Sequence, residues 1–253
     1  MNLTVRTLRD AEESKAAAAL LAEVWQSSTP LLSHNTLWAM AFSGSYARVA
    51  VDDDGTVVGV SAGFVSGDEP RSLHSHATGV LAGLRRSGVG VLLKEDQRSW
   101  ARERSIGEVR WTCDPLSRRN MSFNLRRLGA HVVGYLPDFY GAMDDGLNAG
   151  DATDRAHVVW DLASPRPREP DTTDAVPAVV VERGRAVAVP TGAARRVSVA
   201  TPADAEALRS ADRDVAASWR IAVREALGGR LDDGWCMSGL TDQGHYVLDA
   251  PCG

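Results

Sequence analysis

Residues 73–104, LHSHATGVLAGLRRSGVGVLLKEDQRSWARER, decide how the rest of the chain is read. The run from His74 to Leu81 predicts a strand, Gly83, Gly88 and Gly90 turn the chain, and a helix follows. Val89, Leu92, Leu93 and Trp100 recur at helical spacing and predict that helix's buried face. A glycine turn between strand and helix leaves the first helical N–H groups unpaired. With the positive end of the helix dipole they form an anion site. Arg85 and Arg86 stand at its lip, and the planar guanidinium fork suits phosphate. The glycines match neither the dinucleotide fingerprint nor the P-loop. Arg85-Arg86-Ser87-Gly88-Val89-Gly90 instead reads R-x-x-G-x-G, which by itself fits a plain turn as well as a pyrophosphate cradle.

The remaining composition narrows the class. At 253 residues the chain suits one large domain, or a domain with a smaller partner. Its 44% hydrophobic and 24% charged content is that of a soluble globular protein, and a net charge of −5 argues against a general nucleic-acid binder. Cys113, Cys236 and Cys252 lack CxxC spacing, so neither a disulfide frame nor a metal site is expected. With no cationic-then-apolar leader and no long apolar run, a cytoplasmic protein without a membrane partner is expected. A homodimer through a strand edge or the tail stays open.

Along the chain, residues 3–8 predict a strand and Asp10 the cap of a helix whose apolar face is Ala17, Leu20, Leu21 and Val24. A second helix spans 35–42. Strands 46–52 and 56–65 flank Asp53-Asp54-Gly55 as a hairpin. After the cradle and its helix come strand 109–113, helix 115–128, and strands 131–135 and 155–162, with polar, mobile-looking residues 144–154 between the last two. A proline-rich, charged linker at 164–176 divides a domain of residues 1–163 from an α/β extension of residues 177–253. There, 178–181 and 186–189 predict a hairpin about Gly184. Thr201-Pro202 predicts a helix start, 215–227 another helix, and 235–240 and 245–248 two strands. Periodicity alone supports only a mixed α/β fold.

Residues 80–90, the strand at 108–113 and Asn120 in the next helix together resemble the GNAT family of acyl-CoA N-acyltransferases. LHSHATGVL (73–81), WTCDPLSRRNMSFNLRRLGA (111–130) and YLPDFYG (135–141) resemble a bacterial branch of about this length with a C-terminal extension. The resemblance implies a GNAT-like α/β fold, a mixed sheet flanked by helices in the order β-α-α-β-β-β-α-β-α-β-β. It implies that Arg85, Arg86, Ser87, Gly88, Val89 and Gly90 hold the CoA pyrophosphate, and that Val80 and Leu81 offer backbone to the pantetheine arm. Asn120 would contact pantetheine, with Phe123 and Asn124 facing the same cleft. The implied co-substrate is acetyl-CoA or another acyl-CoA such as succinyl-CoA. The implied partner is a small-molecule amine, for example an amino acid.

N-acyl transfer from a thioester needs a neutral amine, a stabilised carbonyl oxygen and a path for the leaving thiolate. His74 and His76, two apart on a strand, share a face. His74 stands where some GNAT enzymes keep a glutamate base, and either imidazole serves as base or as a structural core residue. Where many members carry a Tyr acid, this chain has Leu125. Tyr140 is the nearest substitute and Tyr135 a weaker one, each equally a packed phenol. Asn120 also fits helix capping. Arg220 in the tail is either a substrate-carboxylate anchor or a salt bridge between layers. Asp96 needs a partner on an otherwise apolar helix face, and Asp114-Pro115 ends a strand and opens a helix, with no chemistry assigned to it. The expected function is acyl transfer to a small amine by direct attack in a ternary complex. The alternatives are a non-catalytic acyl-CoA-binding module or another thioester reaction on the same fold.

Overall fold

The computed structural model describes residues 2–85, 87–143, 146, 148, 150–163 and 169–251, so Arg86, Cys252 and positions 164–168 of the expected linker lie outside the described residues. Contacts divide the chain into two compact units. The first comprises Met1–Trp111 with Asp145–Leu147 and Asp161–Ala163, and the second Thr112–Asp144, Asn148–Trp160 and Ser164–Gly253. This division by contacts is a different partition from the one drawn on composition at 164–176.

In the first unit, β1 (Thr4–Thr7) leads to α1 (Ala11–Trp25) and α2 (His34–Phe42). Both helices start where side chains close the first turn: Asp10 accepts the Glu13 N–H and Ser33 the Thr36 N–H. Strands β2 (Tyr46–Val51), β3 (Val57–Val65) and β4 (Leu73–Val80) follow, then α3 (Val89–Arg102) and β5 (Glu108–Cys113). β1 to β4 pair antiparallel in chain order, and β5 joins β4 in parallel. Leu20, Leu21, Val49, Val60, Ala62 and Ala77 pack on the α1 side, while Ala50, Val58, Val89 and Leu93 pack beneath α3. A sheet covered on both faces is the mixed α/β arrangement the element order called for.

Tyr46 seats α3 on this sheet. Its hydroxyl donates to the Leu93 carbonyl (3.0 Å) and to Asp96 (3.1 Å), and its ring meets Trp100 edge-on at 5.5 Å. Asp96 also pairs with Arg48 at 3.3 Å, which supplies the partner its position demanded. Leu92 departs from the expected buried face: it is 42% exposed, one step of helical rotation away from Leu93.

The strand the chain turns on is irregular. Its register with β3 runs Val65↔Leu73, Phe64↔His74 and Gly63↔Ser75, then Ala62↔Ala77, so His76 is an extra residue in a bulge. Alternation slips by one there. Ala77 enters the α1-side core with Ala62, and Thr78 meets Ser61 at 2.9 Å. Gly63 makes the close approach possible, because a Cβ at that position would lie 2.6 Å from the His74 carbonyl oxygen.

In the second unit, α4 (Arg118–Ser122) runs into a π-helical turn (Phe123–Leu128), so the single helix expected at 115–128 is shorter and changes pitch midway. β6 (His131–Leu136) and β7 (Arg155–Asp161) pair antiparallel. Then come β8 (Val176–Pro177), β9 (Val179–Glu182), β10 (Arg185–Ala188), β11 (Arg196–Val199), α5 (Ala205–Ala211), α6 (Arg213–Asp232), β12 (Cys236–Leu240) and β13 (Tyr246–Asp249). β9 and β10 form the hairpin about Gly184, and the other four strands lie in the order β12-β13-β11-β8. Two expectations change. Thr201 does not open a helix, because its buried hydroxyl donates to the Gly244 carbonyl at 2.6 Å and Asp204 caps α5 instead. The end of the 144–154 segment is not loose, because Thr153 and Asp154 are wholly buried. Among the described residues no helix is long and apolar enough to cross a membrane.

The bulge yields a stability prediction. Gly63→Ala forces a methyl against main chain that cannot swing aside, and is expected to cost about 1–3 kcal/mol, read as a lowered midpoint in denaturant unfolding of the purified chain.

Candidate active site

The β4–β5 ladder is two pairs long, Leu73↔Val109 and His74↔Arg110. Beyond His74 the β5-facing edge of β4 has no strand partner among the described residues. Backbone donors and acceptors on that edge are left for water or a ligand, since main-chain polar groups need partners. The open edge leads through Val80 and Leu81, both half-buried, into the turn at Ala82–Leu84.

The turn delivers the chain to Gly88, whose φ of 92° is the left-handed conformation glycine adopts without strain. Nothing lies within 4 Å of a Cβ built there, so backbone conformation and not space selects the glycine. Unlike α1 and α2, α3 has no side-chain cap, and like α2 it carries no acid in its first turn. Its leading N–H groups and positive dipole end therefore stay uncommitted, the electrostatics of an anion cradle. Arg85 beside it is exposed. Ser87 Oγ donates to the Leu84 carbonyl (2.7 Å) and braces the turn. Val89 is wholly buried in the core, so only its main chain can serve a ligand. Gly90 is half-buried at the start of α3, and Arg86 lies outside the described residues.

His74 and His76 come together as expected. Their ring centroids are 5.9 Å apart, and Phe64 stacks on His74 at 4.9 Å and lies 5.8 Å from His76. Burial pushes the His76 imidazole below its ordinary value, so it is neutral at pH 7 and able to accept a proton. The bulge that aims it is a tertiary feature of β3 and β4.

The candidates of the second unit have the following surroundings there. Asn120 is exposed on α4 and its side chain has no partner among the described residues. It lies inside the helix, two positions past its first residue, so capping does not explain it. Phe123 is half-buried where the π turn begins, and Asn124 beside it is buried. Leu125 is buried and puts no hydroxyl at that position. The Tyr140 hydroxyl lies 3.0 Å from that of Thr112, and Arg155 sits 5.2 Å from its ring centroid. Tyr135 is closed off as an acid. Burial and Asp154, to which its hydroxyl donates at 2.5 Å, push the phenol far above its usual range.

Arg220 is likewise corrected. It is buried, and its Nη atoms meet both Asp114 oxygens at 2.9 and 3.2 Å. Its Nε and Nη2 meet Asp151 at 3.1 and 2.9 Å. Arg209 bridges the same two carboxylates at 2.5 and 3.1 Å. The guanidinium is saturated by protein, so the salt-bridge alternative holds and no fork remains for a substrate. Asp114, expected only to end a strand and open a helix, anchors this node. Burial alone would raise its carboxyl, but Arg220 and Arg209 outweigh burial and hold it at about 2. Among the described residues no cluster of His, Cys, Asp or Glu is arranged to hold a metal ion.

Three parts of the arrangement escaped the sequence: Phe64, the glycine behind the bulge, and the placement of Arg110 beside His74. A glycine-aromatic pair ending a strand, Gly63-Phe64, was the available signal for the first two.

The chain has the fold of the GNAT N-acetyltransferases. An acetyltransferase of the GNAT family from Streptococcus pneumoniae superposes with a TM-score of 0.51 at 13% identity, covering 62% of this chain and 98% of its own. The ribosomal-protein-S18-alanine N-acetyltransferase from Escherichia coli gives 0.51 at 13% identity, over 65% of this chain and 96% of its own. Naa20 from Chaetomium thermophilum, solved with a bisubstrate analogue, gives 0.50 at 19% identity, over 62% and 86%. No protein-family model and no curated protein matches the sequence.

The ionic node predicts an acid response. A carboxyl whose folded pKa lies below its unfolded value stabilises the fold above the unfolded pKa, and that stability is lost as pH falls through the folded one. For Asp114, at about 2 when folded, the loss falls between about pH 4 and 2. Asp114→Asn leaves Arg220 partly uncompensated and is expected to cost about 3–5 kcal/mol at pH 7, with a flatter melting temperature across that acid window.

Proposed function

We propose that the chain is an acyl-CoA-dependent N-acyltransferase that acylates the primary amine of a small molecule. One observation carries this reading. The β4–β5 ladder ends after two pairs, and the edge it exposes leads into an uncapped helix start. An extended amide-bearing arm fits the first feature, a pyrophosphate the second, and acyl-CoA contains both at adjacent positions. Arg85, Ser87, Gly88, Val89 and Gly90 are the phosphate side of this assignment, joined by Arg86. Val80 and Leu81 are the backbone side, and Asn120 and Phe123 further pantetheine contacts.

In the proposed reaction the amine nitrogen attacks the thioester carbonyl carbon, the C–N bond forms and the C–S bond breaks. The amine proton passes to His76, with His74 as the neighbouring imidazole, and the CoA sulfur leaves as thiolate and takes a proton. Tyr140 is the proposed donor for that last step. Holding amine and thioester together supplies much of the acceleration. Acetyl-CoA and succinyl-CoA are the donors to test. The buried Leu125 favours a second reading, acyl-CoA binding without turnover, because that position offers no acid.

Titration with both donors, then thiol release against a panel of amines, separates these readings. Amine-dependent thiol release supports the transferase, whereas binding without release supports the second reading. Gly88→Val strains a left-handed residue and crowds the cradle, and is expected to weaken CoA binding by at least about tenfold, roughly 1.4 kcal/mol. Unchanged CoA affinity in that variant refutes the cradle.

The lowered His76 value predicts a pH profile. Loss of activity on acidification marks protonation of the base, so kcat/KM should hold at pH 7 and fall on an acid limb centred below about 6.5. His76→Gln is expected to remove that limb along with most of the rate. A limb that survives the substitution assigns the base elsewhere.

A further inference from the structure

In the parallel pair of β4 and β5, Arg110 is the register partner of His74. Register partners project to the same side of a sheet. The other side is closed: Leu73 and Val109 are wholly buried, and the Trp111 ring lies 4.1 Å from the Lys94 ammonium on α3. Arg110 therefore shares a face with His74, and through it with Phe64 and His76. Glu108, two residues earlier on β5, is on that face too. Its Oε1 accepts from Arg110 Nε at 2.7 Å and also pairs with Nη2, which sets the guanidinium plane. The Nη1–Nη2 end of the fork has no other partner among the described residues, and 41% of the side chain is exposed. Phe64 beside His74 is 49% exposed.

An oriented, open guanidinium edge takes a carboxylate through two parallel hydrogen bonds. A flat exposed ring takes an apolar or aromatic body. Between them stand the two imidazoles, His74 and His76. One kind of small molecule satisfies all three together.

We propose that this face is the acceptor subsite, and that its ligand is an apolar or aromatic amino acid. The carboxylate lies on Arg110, the side chain against Phe64, and the amine toward His74 and His76. The assignment rests on the N-acyltransferase reading above and adds the acceptor's chemistry to it. It also separates this chain from enzymes that act on peptide amino termini, where an amide replaces the carboxylate and offers Arg110 no anion.

The test measures thiol release by the full chain with acetyl-CoA and with succinyl-CoA. The acceptors are L-phenylalanine, phenethylamine (same ring and amine, no carboxylate), glycine and phenylalanyl-alanine amide. The expected kcat/KM for phenylalanine exceeds that for phenethylamine and for the dipeptide amide by at least about tenfold, the scale on which a site built for a polar group rejects an analogue lacking it. Arg110→Gln should bring the phenylalanine-to-phenethylamine ratio to about one, and Arg110→Lys should restore it only in part, because an ammonium has no fork. Phe64→Ala should collapse the ratio of phenylalanine to glycine. Equal use of phenylalanine and phenethylamine by the unaltered chain overturns the assignment, and that comparison needs no variant to fold. So does a preference for the dipeptide amide, or ratios unmoved in variants that melt like the parent; in each case the transferase reading stands. Thiol release that no amine in the wider panel accelerates overturns that reading and this assignment with it.

Discussion

A strand can be paired along its whole length on one side and released on the other only if something else takes its main-chain polar groups. That constraint governs β4. Toward β3 it is bonded throughout, with one residue too many at His76; toward β5, among the described residues, it is paired at Leu73 and His74 alone. Buried main-chain groups left without partners cost about 1–3 kcal/mol each, so such an edge persists where water or a ligand reaches it. The bulge and the open edge occur on the same few residues. The two imidazoles stand together at the bulge, and the open edge leads into the uncapped start of α3.

The first unit holds this irregular strand in place with ordinary packing. Tyr46 bonds into α3, the Val89 and Leu93 side chains lock the helix start onto the sheet, and the α1-side core receives Ala62 and Ala77 on either side of the bulge. An anion cradle is useful only if its N–H groups keep their directions, and a buried Val89 immediately after Gly88 provides that rigidity. The second unit uses charge for the same purpose. Arg209, Arg220, Asp114 and Asp151 form a closed set of guanidinium–carboxylate pairs, and Asp154 takes both Tyr135 and Arg224. Such sets are costly to break one partner at a time. Arg220, which looked available in the sequence, is for this reason taken up by Asp114 and Asp151.

Much of the fold was legible because it rests on local signals. Asp10 and the Asp53-Asp54-Gly55 turn act within a few residues of themselves, and the order of strands and helices around the cradle follows from periodicity. The slip at His76 was not legible, since it arises from Gly63 on the neighbouring strand allowing the His74 carbonyl to approach. Nor was the fate of Thr201, whose hydroxyl is engaged by a carbonyl 43 residues away in the chain.

By itself the sequence determined a mixed α/β unit, the glycine turn that leaves a helix start uncapped, and the two histidines on one strand. These depend on spacing along the chain. Only tertiary structure decided that Arg220 is closed off by two aspartates, that Tyr135 is bound to Asp154, and that Arg110 and Phe64 flank His74. Those outcomes depend on strand register and burial, which bring together residues tens of positions apart and which no local pattern encodes.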